Sequence, residues 1–344
     1  MRYRDAGVDV ERSDAIKAAL VRAVESTWGP AVVPLRGGFA GAMRWPGSAG
    51  PGAPVVLAAS LDGVGSKLEL ARAAGRLREA AADLVFHGAN DLLVHGAAPL
   101  AFLDYIAQAR LDPAVVLAVV EGVSAACREV GAALLGGETA EMPESYRPDV
   151  VDVAGCMIGW VAERRLLDGR AVQAGDVVLG LGSDGLHTNG FTLARRVLER
   201  SGLGLGDPLP GGAGERVGEA LLAPHRWYGP AIGPALEDGE VHALAHVTGG
   251  GIAGNLVRVL PEGCRARLEP GAWARPAVFR WLMSAGEIPE DDARTTFNLG
   301  IGLAVVCAAA GAPALAASLR ARGERVAEIG VIAAGARGVD WTGT

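Results

Sequence analysis

The sequence has little of what marks several large classes of protein. Aromatic residues make up 5% of its 344 residues, and lysines and arginines form no run longer than a short pair. With a net charge of −7, the chain lacks the basic surface of a dedicated nucleic-acid binder or of a protein that binds anionic membranes. Its four cysteines form no C-x-x-C pair, so we expect buried free thiols in a reducing cytoplasm.

An export signal and a membrane span are also not indicated. The first 14 residues carry charges where a signal peptide needs an apolar core. Residues 299–318 are uncharged, but glycines and a proline interrupt them. This pattern favours a buried strand, a turn and an amphipathic helix over a membrane helix. We therefore expect a cytoplasmic protein with no membrane contact.

What the sequence does have is apolar residues and glycine. Half of the residues are hydrophobic and 50 are glycine, which predicts a large packed core with many tight turns. The length favours two domains. A charged, turn-rich stretch at residues 163–175 is the predicted boundary, between an N-terminal domain at residues 1–165 and a C-terminal domain at residues 170–340.

Strands and helices mix without strict alternation, so we expect an α+β or mixed α/β fold. Predicted strands cover residues 57–61, 99–107, 132–135, 150–162, 176–181, 241–246, 265–268, 296–307 and 326–333. Predicted helices cover residues 14–26, 80–95, 113–130, 191–200, 252–260 and 312–322.

Residues 57–70 join a small, apolar strand to a turn that carries Asp62, Gly63, Gly65 and Lys67. Glycine lets backbone N–H groups approach an anion, aspartate can hold Mg²⁺, and lysine can meet a phosphate oxygen. The order of residues is not that of a Walker A loop. A strand-ending turn with a lysine on the surface is the alternative.

Further polar residues stand in apolar surroundings. Asn90 and Asp91 lie in a helical segment that is otherwise apolar, and a buried carboxylate needs a partner or a metal. A solvated helix face is the alternative for this pair. Asp104 lies mid-strand, where aspartate is disfavoured. Together with Asp62, Glu138 and Glu141 these acids could bring oxygen ligands to one or two Mg²⁺ ions, which such a set favours over Zn²⁺.

The second half of the chain has two G-x-G-x-x-G matches, at residues 180–185 and 249–254. The first is a poor dinucleotide fingerprint, because residues 187–190 separate its glycines from the next helix. The second continues into a helix, which offers either an anion site or a simple helix entry. His187 and His246 follow strands and precede hydroxyl residues, a setting suited to acid–base chemistry.

Taken together, these segments resemble one family, phosphoribosylformylglycinamidine cyclo-ligase, also called aminoimidazole ribonucleotide (AIR) synthetase. The matching blocks occur in the family's order and are YRDAGVDV (3–10), GGFAG (37–41), LDGVGSKL (61–68), NDLLVHGAAPLAFLDY (90–105), GGETAEMP (136–143), DVAG (152–155), LHTNGFTL (186–193), HVTGGG (246–251) and RTTFNLGIG (294–302).

The resemblance implies an ATP-dependent enzyme of purine biosynthesis. It converts formylglycinamidine ribonucleotide (FGAM) to AIR and releases ADP and phosphate. Implied with it are Mg²⁺ and a homodimer, in which the N-terminal sheets pair into a central β-barrel and α/β C-terminal domains pack outside. A requirement for K⁺ stays open.

The resemblance also implies roles for single residues. Asp62, Asp91 and His187 would be catalytic, and the Mg²⁺ ligands would be Asp62, Asp91, Asp104 and Glu138. ATP would contact Gly37, Gly38, Gly63, Gly65, Lys67, Asn90, Asp104, Gly137, Glu138 and Thr139. FGAM would contact Glu141, Thr188, Asn189, His246, Thr248, Gly249, Gly250 and Gly251.

Some positions depart from the family's pattern. Gly88-Ala89 replace a Cys-Val pair, a glutamine that is common near His95 is missing, Ala98 replaces a glutamate, and Leu299 stands where cysteine or methionine is usual. These departures leave a divergent, non-catalytic nucleotide-binding paralogue as an alternative. The other alternative is a related ATP-dependent kinase or synthetase, such as thiamine monophosphate kinase or selenophosphate synthetase.

Overall fold

The computed structural model describes residues 24–35, 38–45 and 54–343. The first sheet contains five strands in the order β1-β2-β5-β3-β4. Only the β3–β4 pair is parallel, and the other neighbours are antiparallel. The strands are β1 (Gly41–Arg44), β2 (Val55–Gly63), β3 (Ala98–Gln108), β4 (Ala133–Glu141) and β5 (Val151–Ala162).

Three helices that lie wholly within the described residues accompany this sheet: α1 (Lys67–Ala73), α2 (Leu77–Leu93) and α3 (Pro113–Val130). The sequence sets both ends of α3: the Asp112 side chain accepts the Ala114 N–H, Pro113 opens the first turn, and Gly131 ends the helix with φ 77°. Helix α2 is buried along most of its length. Its polar residues Asp83, His87, Asn90 and Asp91 are therefore held inside the protein and need partners there.

The second sheet has six strands in the order β11-β8-β10-β6-β9-β7, and only β11 and β8 run parallel. Its strands are β6 (Val177–Gly182), β7 (Val241–His246), β8 (Cys264–Leu268), β9 (Ile301–Cys307), β10 (Val326–Ala334) and β11 (Gly338–Trp341). The helices of this half are α4 (Phe191–Ser201), α5 (Val217–Leu221), α6 (Gly229–Glu237), α7 (Gly251–Val259), α8 (Ala277–Gly286), α9 (Glu290–Thr296) and α10 (Ala312–Ala321).

One hydrophobic core joins the two halves. Leu84 of α2 and Phe102 of β3 belong to the same buried cluster as Phe191 of α4 and Phe279 of α8. A second cluster fills the space around the six-stranded sheet. Because α2 lies within the shared core, its polar residues meet segments from the second half of the chain.

The opposite face of the first sheet carries exposed apolar side chains. Leu61 is 72% exposed and Trp160 45% exposed. Strand register aligns Leu61 with Cys156 and Leu103 in one row across the sheet. A monomeric protein rarely shows such a contiguous apolar face.

The mixed α/β fold class is confirmed, with mixed sheets in both halves. The structure differs from the predicted elements at residues 136–141, which continue β4 instead of forming a loop. Residues 296–300 precede β9 rather than belonging to it. The predicted helix at residues 14–26 falls mostly outside the described residues. Among the described helices, none is long and apolar enough to cross a membrane.

Candidate active site

A polar cleft of about 400 Å³ lies where the first sheet meets the second half of the chain. Residues 38–41, the end of β2 and helix α2 form one side, and Thr248 and Arg258 form the other. The polar side chains that line it are Ser60, Asp62, His87, Asp91, Thr248 and Arg258.

Asp62 and Asp91 form the acidic centre of this cleft. Ser60 Oγ donates to Asp91 Oδ2 at 2.8 Å and lies 3.5 Å from Asp62 Oδ2, so one hydroxyl bridges the two carboxylates. Burial raises the pKa of Asp62; His87 opposes this shift and the charge of Asp91 adds to it. Asp91 is buried and Asp62 is partly exposed to the cleft, and two carboxylates within hydrogen-bond range of each other indicate a position for a cation.

Asp91 is held by a chain of two histidines. His246 Nδ1 lies 2.8 Å from Asp91 Oδ1, and because a carboxylate only accepts, Nδ1 carries the proton. Burial lowers the pKa of His246, so the ring is neutral at pH 7 and its Nε2 accepts from His225 Nε2 at 2.9 Å. Burial also acts to raise the pKa of Asp91, but the hydrogen bond from His246, together with the nearby His87 and the hydrogen bond from Ser60, outweighs it, and the pKa falls.

His187 is buried and does not line the cleft. Its ring stacks on that of His225 with centroids 4.1 Å apart, and its Nε2 accepts the Arg226 N–H at 3.4 Å. Burial, followed by the charges of His246 and Lys67, lowers the pKa of His187 well below its usual value. The backbone of His187 has φ 61°, a strained conformation that clusters at functional sites.

Lys67 does not reach the cleft, which differs from both sequence interpretations. Its side chain is 1% exposed, and its ammonium group lies 2.5 Å from Asp83 Oδ2. The ammonium also donates to the carbonyls of His187 and Ala223, at 2.8 and 3.0 Å. All three N–H donors are therefore used inside the protein, and none remains for a phosphate.

Asp104 and Glu138 are not assembled with Asp62 and Asp91. Asp62 and Asp104 both pair with Gly155, from opposite neighbouring strands, so their backbones are about 10 Å apart. Asp104 Oδ2 is buried without a hydrogen-bond partner. Glu138 pairs with Tyr105, the neighbour of Asp104, and is exposed on the other face of the sheet. Of the four residues predicted as metal ligands, Asp62 and Asp91 therefore lie together in the cleft of one chain, whereas Asp104 and Glu138 do not.

The other residues of β4 also lie away from the cleft. Gly137 pairs with Asp104, and the Asp104 carboxylate occupies the space that a side chain there would need. Thr139 is exposed, and Glu141 accepts the Leu111 N–H at 2.9 Å. These residues are not part of the described cleft.

The two glycine loops of the second half approach each other beside the cleft. The Asn189 side chain lies against Gly249, and Thr188 Oγ1 is 2.7 Å from His87 Nδ1. Gly250 and Gly251 take φ values of 94° and 64° at the start of α7. The amide of Asn255 donates to the carbonyls of Gly249 and Gly251, which fixes the turn.

The Asn90 side chain joins the two halves of the chain by hydrogen bonds. It is fully buried, donates to the Arg226 carbonyl at 2.8 Å and accepts the Tyr228 N–H at 3.2 Å. Gly63 and Gly65 follow Asp62 on the turn out of β2, where Gly65 has φ 66°. Gly38 lines the cleft, whereas Gly37 lies outside the described residues.

Arg258 is the cation that the sequence interpretation missed. It donates to the Gly38 carbonyl at 2.7 Å, and its guanidinium lies 3.8 Å from the centre of the Phe39 ring. The N–H of Phe39 in turn donates to His95 Nε2 at 3.0 Å. Burial lowers the pKa of Arg258, although Asp91 and Asp62 act in the opposite direction. Helix α7 thereby brings a positive charge to the glycine-rich loop.

The chain matches two family models over most of its length. Residues 49–161 match the N-terminal domain of the AIR synthase related proteins, and residues 173–341 match the C-terminal domain. A phosphoribosylformylglycinamidine cyclo-ligase of Synechococcus sp. (strain CC9311) is 44% identical over 98% of this chain and 97% of the relative. One of Sorangium cellulosum (strain So ce56) is 47% identical over 88% of this chain and 87% of the relative.

A solved structure shares the fold. The crystal structure of tt0281 from Thermus thermophilus superimposes with a TM-score of 0.65 at 21% identity, covering 95% of this chain and 96% of that one. The full-length sequence relatives and both domain matches agree, and the chain belongs to the phosphoribosylformylglycinamidine cyclo-ligase family.

Proposed function

We propose that the chain catalyses the ATP-dependent conversion of FGAM to AIR, with release of ADP and phosphate. The main support is similarity to cyclo-ligases over 98% of the chain, together with an acid-lined cleft between its halves. The formyl amide oxygen of FGAM would take the γ-phosphoryl group of ATP. The amidine nitrogen would then attack the activated carbon, and loss of phosphate and a proton would leave the imidazole ring.

The nucleotide end of the site would lie at Asp62 and Asp91. Their paired carboxylates fit a divalent cation, which the resemblance gives as Mg²⁺, and such an ion neutralises the charge of the nucleotide phosphates. Arg258 and the backbone of residues 38–41 would face the phosphates from the other side of the cleft. Ser60 and His246 would hold the carboxylates in place, since both donate hydrogen bonds to Asp91.

The substrate end would lie at the loops of residues 187–189 and 248–251. Thr188 contacts His87, and Thr248 lines the cleft, so both loops border the acidic centre. The neutral His187, which precedes Thr188 on this loop, would be the group that takes up the proton released by ring closure. Phosphoryl transfer needs positioning and charge stabilisation more than a protein nucleophile.

We also propose a homodimer that pairs the exposed faces of the first sheet. The row formed by Leu61, Cys156 and Leu103 and the exposed Trp160 would be covered by a second copy. Covering this face would remove its apolar side chains from water, which stabilises the dimer by about 25 cal/mol for each Å² of apolar surface buried. The four free cysteines suit a reducing cytoplasm, the expected compartment of a purine-biosynthesis ligase.

A charge at the centre of this face tests the dimer. Leu103→Glu is expected to convert a species of twice the 35.1 kDa chain mass into one of that mass in sedimentation velocity. The matched control is Leu117→Glu, since Leu117 is 59% exposed on α3, away from the face. A wild-type protein that sediments as a monomer, or a dimer that survives Leu103→Glu, would contradict the interface.

Release of ADP tests the function itself. With ATP and a divalent cation, the protein is expected to release ADP only when FGAM is added, with AIR formed in equal amount. Both are measured by chromatography of quenched reactions. ADP release that ignores FGAM would instead favour a related kinase or synthetase, and no release would favour a non-catalytic paralogue.

A further inference from the structure

The acidic centre of the cleft contains a nitrogen donor as well as carboxylates. His87 Nε2 lies 3.4 Å from Asp62 Oδ2 and 3.8 Å from Asp91 Oδ2. The imidazole is 7% exposed and lines the same cleft, so it is held at the position where the two acids meet. Helix α2 fixes this arrangement, because His87 and Asp91 are one turn apart on the same helix face.

The surroundings of His87 allow Nε2 to offer a lone pair to a metal. Its Nδ1 lies 2.7 Å from Thr188 Oγ1, and a hydroxyl can accept a hydrogen bond from Nδ1–H. Metal-bound histidines usually donate their second ring N–H to an oxygen in this way. Asp91 can also bind a metal at this position, because His246 donates a hydrogen bond to its Oδ1 and its Oδ2 faces His87.

We propose that Asp62, Asp91 and His87 form a mixed nitrogen–oxygen site that prefers a first-row transition-metal dication, such as Mn²⁺, to Mg²⁺. Imidazole is a good ligand for transition metals, whereas Mg²⁺ favours oxygen ligands and retains its water. The inference rests on the proposed function only in placing a divalent cation at the two acids.

A second group of histidines is less suited to a metal. Nitrogen atoms of His187, His225 and His246 lie within 4.8 Å of one another. However, the rings of His187 and His225 are stacked with an interplanar angle of 21°. Imidazole lone pairs lie in the ring plane, so those of two stacked rings run side by side rather than converging on one ion.

Metal titration of the protein after chelation tests the preference. Free Mn²⁺ gives an electron paramagnetic resonance signal that is lost on binding, and Mg²⁺ is then added as a competitor. Half displacement from the wild type is expected only when Mg²⁺ is in large excess over Mn²⁺. His87→Leu is expected to weaken Mn²⁺ binding by about 10–100-fold, with a much smaller effect on Mg²⁺.

Two controls make the result specific. His242→Leu removes another histidine that contacts an aspartate, Asp176, outside the cleft, and is expected to leave the Mn²⁺/Mg²⁺ ratio unchanged. Spin-echo modulation of Mn²⁺ bound to wild-type protein is expected to show one coordinated imidazole nitrogen, which does not depend on whether His87→Leu folds. Absence of that modulation, or an equal loss of both metals in His87→Leu, would overturn the proposal.

The outcome is separable from that of the proposed function. Binding is measured without ATP or FGAM, so a protein that fails to release FGAM-dependent ADP can still bind Mn²⁺ through nitrogen. Conversely, an active enzyme whose bound Mn²⁺ has only oxygen ligands would refute the role of His87 and leave the cyclo-ligase activity intact.

Discussion

Asp91→Asn is expected to lower FGAM-dependent ADP release by about 10³-fold without unfolding the protein. Loss of a single preorganised electrostatic group in an active site costs about 10²–10³ in rate, and this substitution also removes a charge from the proposed metal site. Asparagine keeps the size of the side chain, and its oxygen still accepts from His246 Nδ1–H. Initial rates of ADP formation at saturating FGAM measure the effect, with circular dichroism to monitor the fold.

The control for this variant is another buried aspartate that contacts a histidine. Asp176 lies 2.7 Å from His242 in the second half of the chain and is 2% exposed. Asp176→Asn removes the same charge from a similar pair outside the cleft, and its ADP release is expected to stay within about threefold of wild type. Wild-type turnover in Asp91→Asn would show that Asp91 is not at the reacting centre. Equal losses in both variants would point to a general effect of removing buried charges.

The pairing of Asp62 with Asp91 could be predicted because each interrupts an apolar element. Asp62 comes at the end of an apolar strand with one buried face, and Asp91 lies in a helix buried along most of its length, so the sequence predicts that each acid needs a partner or a metal. The mixed α/β fold followed from similar patterns of apolar residues. The helices α5, α6, α8 and α9 of the second half were not predicted. Helices α5 and α9, of five and seven residues, are too short to show a helical period, and α6 contains glycines and prolines; the amphipathic pattern of α8 was missed.

The pairing register of β3 and β4 explains why the predicted metal ligand Glu138 is not in the cleft. The sequence GGETAE has the glycines and polar residues of a loop, yet it forms the second half of β4. Side chains alternate between the faces of a strand, so pairing Gly137 with Asp104 sends Glu138 to the opposite face. A single sequence does not specify the register of two strands that are about 30 residues apart.

The residues missed around the cleft come from distant parts of the chain. Arg258 lies near the end of an amphipathic helix, where an arginine usually faces solvent. His225 lies in an irregular segment between α5 and α6, with no periodic pattern to mark it. Only the fold brings them to Gly38 and His246, across 220 and 21 residues of sequence.

The contacts of Lys67 also could not be predicted from the sequence, and substituting Lys67 is expected to have the largest effect on stability. A lysine after a glycine turn looks the same in sequence whether it binds phosphate or pairs with a buried acid. Here Lys67 and Asp83 are each 1% exposed and 2.5 Å apart. Lys67→Met is expected to lower the free energy of unfolding by about 3–5 kcal/mol, because it leaves the Asp83 carboxylate buried without its cation. Urea unfolding followed by tryptophan fluorescence measures the loss.

The loss should depend on pH with a defined sign. Burial raises the pKa of Asp83 and the charge of Lys67 opposes it, so removing the ammonium raises the folded-state pKa further. A group whose folded pKa lies above its unfolded value of about 3.9 favours the folded state at low pH and loses that contribution as pH rises through the folded pKa. The deficit of Lys67→Met should therefore be larger at pH 8 than at pH 5.

The double variant Lys67→Met/Asp83→Asn isolates the unpaired charge as the cause. Asparagine at position 83 can still accept the His225 N–H, which Asp83 Oδ1 accepts at 2.7 Å. The double variant is expected to recover most of the lost stability and to lose the extra pH dependence, because no buried carboxylate remains. If it is as unstable as Lys67→Met at both pH values, the lysine stabilises the fold through its bonds to the His187 and Ala223 carbonyls rather than through Asp83.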